Sequence, residues 1–169
     1  AILKDGKAAE LENSEEEIHL TSSGGLQQHV IIVGYGLNGR NLARVLRSVG
    51  VPYVILELNA EVVRRAKEKG EKINFGDATR REVLLHAKIE NAWALVLAMS
   101  DAQAARRTVD QARRLSDKLR IIVRTRYVAE ITELFELGAD EVIPEEFETS
   151  IEIFSRVLHR YGFSRNVIE

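Results

Sequence analysis

The chain has 169 residues, 45% of them hydrophobic and 30% charged, which suits one soluble globular domain with an appendage and a real core. A net charge of −2 leaves no excess of Lys and Arg to neutralise a duplex, which argues against a general nucleic-acid binder. The absence of cysteine excludes disulfides and thiolate metal sites and fits a reducing cytoplasm. No stretch approaches the roughly 18 to 20 apolar residues that cross a bilayer and no signal-peptide pattern opens the chain, so this fragment is expected not to insert in a membrane.

Residues 1–17 hold six acidic residues against two lysines, and Thr21 to Gly25 (TSSGG) continues this segment as a flexible stretch. Residues 1–28 read as an acidic linker, with a disordered tail as the alternative. A linker placed directly before the first strand suggests that a larger part precedes it. The run Val30 to Val33 is the first predicted strand, followed by a helix over about Asn38 to Val49, with Leu42, Val45, Leu46 and Val49 at helical spacing. Tyr53 to Leu56 forms the second strand, closed by Glu57. Asn59 then caps a helix that Gly70 ends.

Ile73 to Phe75 is the third strand. Thr79 and Glu82 have the capping-box spacing for the next helix, as do Ser100 and Gln103 after the fourth strand, Trp93 to Met99. Arg120 to Thr125 is the fifth strand, and a helix over about Val128 to Leu137 follows. Glu141 to Ile143 is a sixth, broken by Pro144. Thr149 with Glu152 caps a last helix, Ser150 to Tyr161. Strand and helix alternate throughout, which predicts a doubly wound, Rossmann-like parallel sheet of six strands in the order 3-2-1-4-5-6. The domain so predicted covers 29–148, with a C-terminal helix and tail over 149–169.

The first strand drives straight into Gly34, Gly36 and Gly39. A tight turn, close backbone approach to a pyrophosphate, and close helix packing each call for glycine at this spacing. The helix behind them points free N–H groups at whatever sits over the loop, so the expected ligand carries phosphate. Glu57, some 20 residues on, is placed to accept ribose hydroxyls. Asp77 or the Ala78 backbone could meet an adenine edge, or Asp77 could simply form an Asx turn. Met99 and Ser100 lie beside the glycine loop, as ligand contacts or as a helix cap. Arg124 is the favoured phosphate clamp at the end of the fifth strand; one of Arg124 and Arg126 could instead pair with Glu141 or with a partner subunit. The last helix carries Ile151, Ile153, Phe154, Val157, Leu158 and Tyr161, which either cover the domain's own sheet or meet a partner.

Together HVIIVGYGLNGR, Glu57, Gly76-Asp77-Ala78, IIVRTR and GADEVIPEEFETS resemble the RCK domain, also called KTN or TrkA-N, over Gln28 to the end of the chain. The pairing of GYGLNGRNLARVL with ELGADEVIPEEFETSIEIFSRVL looks most like the cytoplasmic domain of Kef-type monovalent cation:proton antiporters. The resemblance implies a sensor of an adenine nucleotide, AMP, ATP or NAD(H). The site it implies runs from Gly34 through Tyr35, Gly36, Leu37 and Asn38 to Gly39, with Glu57, Leu58, Asn59, Gly76, Asp77, Ala78, Met99, Ser100 and Arg124. It also implies a homodimer made through the 149–161 helix, a membrane transporter domain before the linker, and residence at the cytoplasmic face of the cell membrane. Leu37 departs from the family, many of whose members carry Arg there, which puts more weight on Arg124. Arg124 and Arg126 stand where calcium-regulated members carry carboxylates, so no metal is expected there.

Other function classes have less support. A nicotinamide-dependent oxidoreductase would need a general acid at the crevice, and none of His19, His29, His86 and His159 is placed for it. No catalytic residue is therefore assigned. A peripheral regulatory subunit of a Trk-type potassium-uptake system is the remaining alternative.

Overall fold

The computed structural model describes residues 26–163; the acidic segment 1–17 lies outside them. Buried apolar runs make the strands: β1 (Val30–Val33), β2 (Tyr53–Glu57), β3 (Ile73–Phe75), β4 (Ala94–Leu97), β5 (Arg120–Thr125) and β6 (Glu141–Pro144). All pair in parallel, in the order β3-β2-β1-β4-β5-β6. Between them stand α1 (Leu37–Ser48), α2 (Ala60–Glu68), α3 (Arg81–His86), α4 (Ala102–Leu115) and α5 (Ile131–Glu136), and α6 (Glu145–Arg160) closes the domain.

Alternation along the strands divides the core in two. Ile31, Val33, Leu56, Leu95, Leu97, Ile121 and Val123 face α3, α4 and α5, where Leu84, Val109 and Leu134 meet them. Val30, Ile32, Tyr53, Ile55 and Ile73 face the other way, against Ala43 of α1 and Val63 and Ala66 of α2. Helices α1 and α2 thus cover the β1-β2-β3 half of that second face.

The helix starts differ from the sequence expectation in three places. At α3 the N-cap is Arg80 without a side-chain bond, because the Thr79 hydroxyl turns to Asp77. At α4 the cap is one residue later than expected: Asp101 has the extended backbone a cap needs, and its carboxylate accepts from the Ala104 N–H at 2.8 Å. At α6 neither Thr149 nor Glu152 marks the start. The helix begins at Glu145, directly after Pro144, with Glu145, Glu146 and Glu148 set against the positive end of its dipole. In addition, the stretch after β5 opens with a 3-10 turn, Val128–Glu130, before α5.

Candidate functional site

Two steric demands build the loop between β1 and α1. Gly34 turns the backbone at φ +97°, and a Cβ there would lie 3.0 Å from the Met99 backbone nitrogen. At Gly39 a Cβ would fall 2.0 Å from the Gly34 carbonyl oxygen, so α1 passes the end of β1 at a distance only glycine permits. Gly36 is different. Its φ is an ordinary −73°, and a Cβ there would meet no protein atom within 4 Å. What the missing side chain keeps open is the space in front of the loop.

Helix α1 begins behind that space. Its N-cap, Gly36, has no side chain to offer and its first turn holds no acidic residue, so the N–H groups around Leu37, Asn38 and Gly39 present an uncompensated positive end. This end lies at the carboxyl edge of the sheet, beside β4, where the strand order reverses. Backbone N–H groups and a helix dipole converging there suit a phosphate.

Glu57 stitches the neighbouring strand end to the loop. Its Oε2 accepts from the Tyr35 N–H and its Oε1 from the Asn59 N–H, both at 2.8 Å, while its carbonyl takes the Gly76 N–H at 3.0 Å. A carboxylate accepts about four hydrogen bonds, so capacity remains for hydroxyls above the loop. Leu58 beside it is exposed. The Asn59 side chain is committed to capping α2, accepting from the Glu61 and Val62 N–H groups. Asp77 forms an Asx turn: its Oδ1 accepts from the Thr79 N–H at 2.9 Å and the Thr79 hydroxyl at 2.7 Å. Ala78 is buried in the core, so this loop can offer a ligand only Asp77 and backbone groups.

On the other side of the glycine loop, Met99 packs part-buried beneath Gly34. The Ser100 hydroxyl accepts from Arg124 Nη1 at 3.2 Å. Arg124 Nη2 forms an ion pair with Glu145, and its buried Nε has no hydrogen-bond partner among the described residues. Glu141, the expected alternative partner, is taken by Arg120 at 2.7 Å. Arg126 is exposed and makes no ion pair among the described residues. A cavity of about 1120 Å³ adjoins this edge, lined by Asn38 and Leu42 of α1, Val96, Ile122 and Ile143 of the sheet, Arg124, Arg126 and the first turns of α6. Of the expected site residues, the cavity holds only Asn38 and Arg124; the glycines, Glu57 and Asp77 lie along the edge outside it.

Sequence reasoning missed two carboxylates. Glu71, in the turn before β3, collects the Tyr53 hydroxyl at 2.6 Å, the Tyr35 hydroxyl at 3.0 Å, its neighbour's Lys72 N–H and the Arg47 guanidinium. Burial alone pushes its pKa up, but hydrogen bonds from Tyr53, Arg47 and Tyr35 outweigh it and hold the carboxyl below its ordinary value. Burial, together with Glu71, raises both tyrosines. Tyr35 therefore belongs to the loop by its N–H and to the turn before β3 by its hydroxyl. No local pattern signals this network, which joins residues 18 to 36 positions apart. Glu145 is the other omission, and there a signal existed: Pro followed by Glu145, Glu146 and Glu148 is a helix N-terminus signature.

A family model described as the TrkA-N domain matches residues 30–145. A protein assigned as K(+) efflux antiporter KefB of Alkalimonas amylolytica is 39% identical over 134 residues, 79% of this chain and 20% of that protein. The chain thus spans about a fifth of the length of the curated relatives it matches. Among solved structures, the TrkA-N domain of inner membrane protein ybaL from Escherichia coli superposes with a TM-score of 0.73 at 29% identity, covering 76% of this chain and 96% of that one. The Kef C-terminal domain of Shewanella denitrificans in its AMP-bound form superposes with a TM-score of 0.70 at 26% identity, covering 83% and 85%.

Proposed function

Since the chain belongs to the TrkA-N family, we propose that it is a regulatory domain that binds an adenine nucleotide and controls a Kef-type potassium efflux antiporter. The observation that carries this reading is the glycine loop. Among the described residues nothing requires glycine at Gly36, and the α1 N-terminus behind it has neither a side-chain cap nor an acidic residue in its first turn. A nucleotide phosphate supplies the missing negative charge, and Glu57 stands at the adjacent strand end for the ribose. The AMP-bound state of the Shewanella domain supports the same ligand class here.

The domain acts on its transporter as a dimer. Helix α6 has no buried residue and exposes Phe147, Ile153, Phe154 and Val157, with Tyr161 exposed at its C-cap. Beside it lies the apolar cavity floored by Val96, Ile122 and Ile143. A second copy's α6 is a suitable cover for both surfaces. Nucleotide binding shifts the dimer between packings, and the transporter domain before the linker reads that shift at the cytoplasmic face of the membrane. No helix among the described residues is long and apolar enough to cross the bilayer itself.

A thermal-shift panel of AMP, ADP, ATP, NAD, NADH and NADPH tests the ligand class, with Glu57→Ala as control. A nucleotide at about 100 times its Kd adds roughly 2.7 kcal/mol, or about 5 to 10 °C for a chain of this size. A shift that the Glu57 variant loses supports the reading; no shift with any nucleotide overturns it. The same samples are expected to scatter light as dimers, and a monomer at micromolar concentration removes the dimer from the mechanism.

A further inference from the structure

The cation nearest in kind to a phosphate ligand is already occupied. Arg124 extends from β5 on the sheet face that carries α1, and it shares its cavity with Asn38 of the α1 first turn. One end of its guanidinium donates to Ser100, which follows β4 beside the glycine loop; the other is held by Glu145, the first residue of α6. Its buried Nε has no partner among the described residues. The guanidinium is therefore poised between the phosphate position and the start of α6, and it cannot clamp a phosphate bidentately while its Nη2 remains with Glu145.

Glu145 is also one of few anchors that α6 has. The first turn of this helix meets the end of β5 through the Arg124–Glu145 pair, and the segment after β5 through the Val128 N–H donating to the Glu146 carboxylate at 3.0 Å and the Glu146 N–H donating to the Arg126 carbonyl at 3.4 Å. Beyond it no residue of the helix is fully buried. Arg126 lines the same cavity and makes no ion pair among the described residues, so a released Glu145 carboxylate has a cation at hand.

We propose that Glu145 sets the phosphate affinity of the nucleotide site by competing for Arg124, and that a bound phosphate displaces it and loosens the first turn of α6. This rests on the reading that a nucleotide occupies the glycine loop. The competition is a coupling between two sites: whatever Glu145 costs the ligand, the ligand costs the anchorage of α6, by the same factor. It acts on phosphate alone, since an unphosphorylated nucleoside has no charge with which to displace a carboxylate.

Titration calorimetry of AMP and of adenosine against the unmodified chain, Glu145→Gln, Arg124→Gln and the double variant tests this, with circular dichroism melts to establish folding. Glu145→Gln is expected to bind AMP about fivefold more tightly, the scale of one partly exposed ion pair, and adenosine equally well. In the Arg124→Gln background the Glu145 change is expected to have no effect. Hydrogen exchange in the first turn of α6 should quicken on adding AMP to the unmodified chain and be fast from the start in Glu145→Gln. Unchanged or weaker AMP binding in Glu145→Gln overturns the proposal, as does equal tightening of adenosine or a gain that survives without Arg124. If neither AMP nor adenosine binds the unmodified chain, the nucleotide reading itself falls, an outcome distinct from AMP binding that ignores Glu145. Should Glu145→Gln fail to melt cooperatively, Glu145→Asp carries the same test, since its shorter carboxylate weakens the pair without removing the charge.

Discussion

Helices α1 and α6 start at the same edge of the sheet and solve the same electrostatic problem in opposite ways. Each concentrates partial positive charge at its N-terminus. Helix α6 neutralises it from within, with Glu145, Glu146 and Glu148 in its first turn. Helix α1 holds no acid there and begins on a glycine that packing does not require. The contrast is what the proposed nucleotide site rests on: of the two, α1 alone leaves its end to a foreign anion. Their packing is opposite too: α1 seats Gly39 and Ala43 fully in the core, whereas the longer α6 has no fully buried residue. The helix proposed to receive the ligand is fixed, and the helix proposed to answer it is loosely held.

The strongest way to break this contrast is to unseat α1. Gly39→Ala places a Cβ against the Gly34 carbonyl, a backbone atom with no room to yield, and is expected to cost about 3 kcal/mol or more. A melting temperature about 10 °C lower reads this out. Gly36→Ala, three residues away, should change stability by no more than about 1 kcal/mol, since its backbone is ordinary and the site is open. It should nevertheless weaken AMP about tenfold, or about 1.4 kcal/mol, by filling the space in front of the loop. Equal effects of the two alanines on stability would erase the distinction between a packing glycine and a binding one.

The contrast can also be sharpened by making α1 resemble α6. Leu37→Glu puts a carboxylate at an exposed first-turn position. It is expected to stabilise the helix by about 0.3 to 1 kcal/mol while excluding phosphate, so the melting temperature rises slightly and AMP affinity falls about tenfold. A rise in both would mean that the ligand does not use this helix end.

The smallest effect concerns His29, where the chain enters β1. It is fully buried, with Nε2 2.8 Å from the Ala87 carbonyl and Nδ1 without a partner. Burial lowers its pKa from 6.5, with the Ala87 contact opposing. The unfolded chain therefore takes up a proton near its ordinary value, while the folded chain resists it. Stability from this group is present in full above pH 6.5 and declines as pH falls below that value. Urea midpoints measured from pH 7.5 to 5.5 should show this slope, and His29→Gln, which does not titrate, should flatten it.

Much of this architecture was legible in the sequence because it depends on local periodicity. Each buried strand is a short apolar run ended by turn residues, and strict alternation with helices leaves few topologies. Gly34, Gly36, Gly39 and Glu57 were legible for the same reason, as a strand, turn and helix at a set spacing. Helix starts were less so. Ser100 and Asp101 both suit a cap, and the choice fell to Asp101 because the Ser100 hydroxyl accepts from Arg124 on the next strand.

The sequence by itself therefore determined the order of strands, the glycine turn between β1 and α1, and the apolar surplus on the last helix, all consequences of side-chain pattern along a few turns of chain. Charged pairs within one helix, such as Arg64 with Glu68, follow helical spacing, but tertiary structure alone decided the partners of charged groups that meet across elements. Arg124 chose Glu145 over Glu141, and Glu71 gathered Tyr35, Tyr53 and Arg47. Apolar burial depends on which face a residue occupies, and periodicity reveals that. An ion pair depends on where two long side chains end, and that is known only once separate strands and helices have been brought side by side.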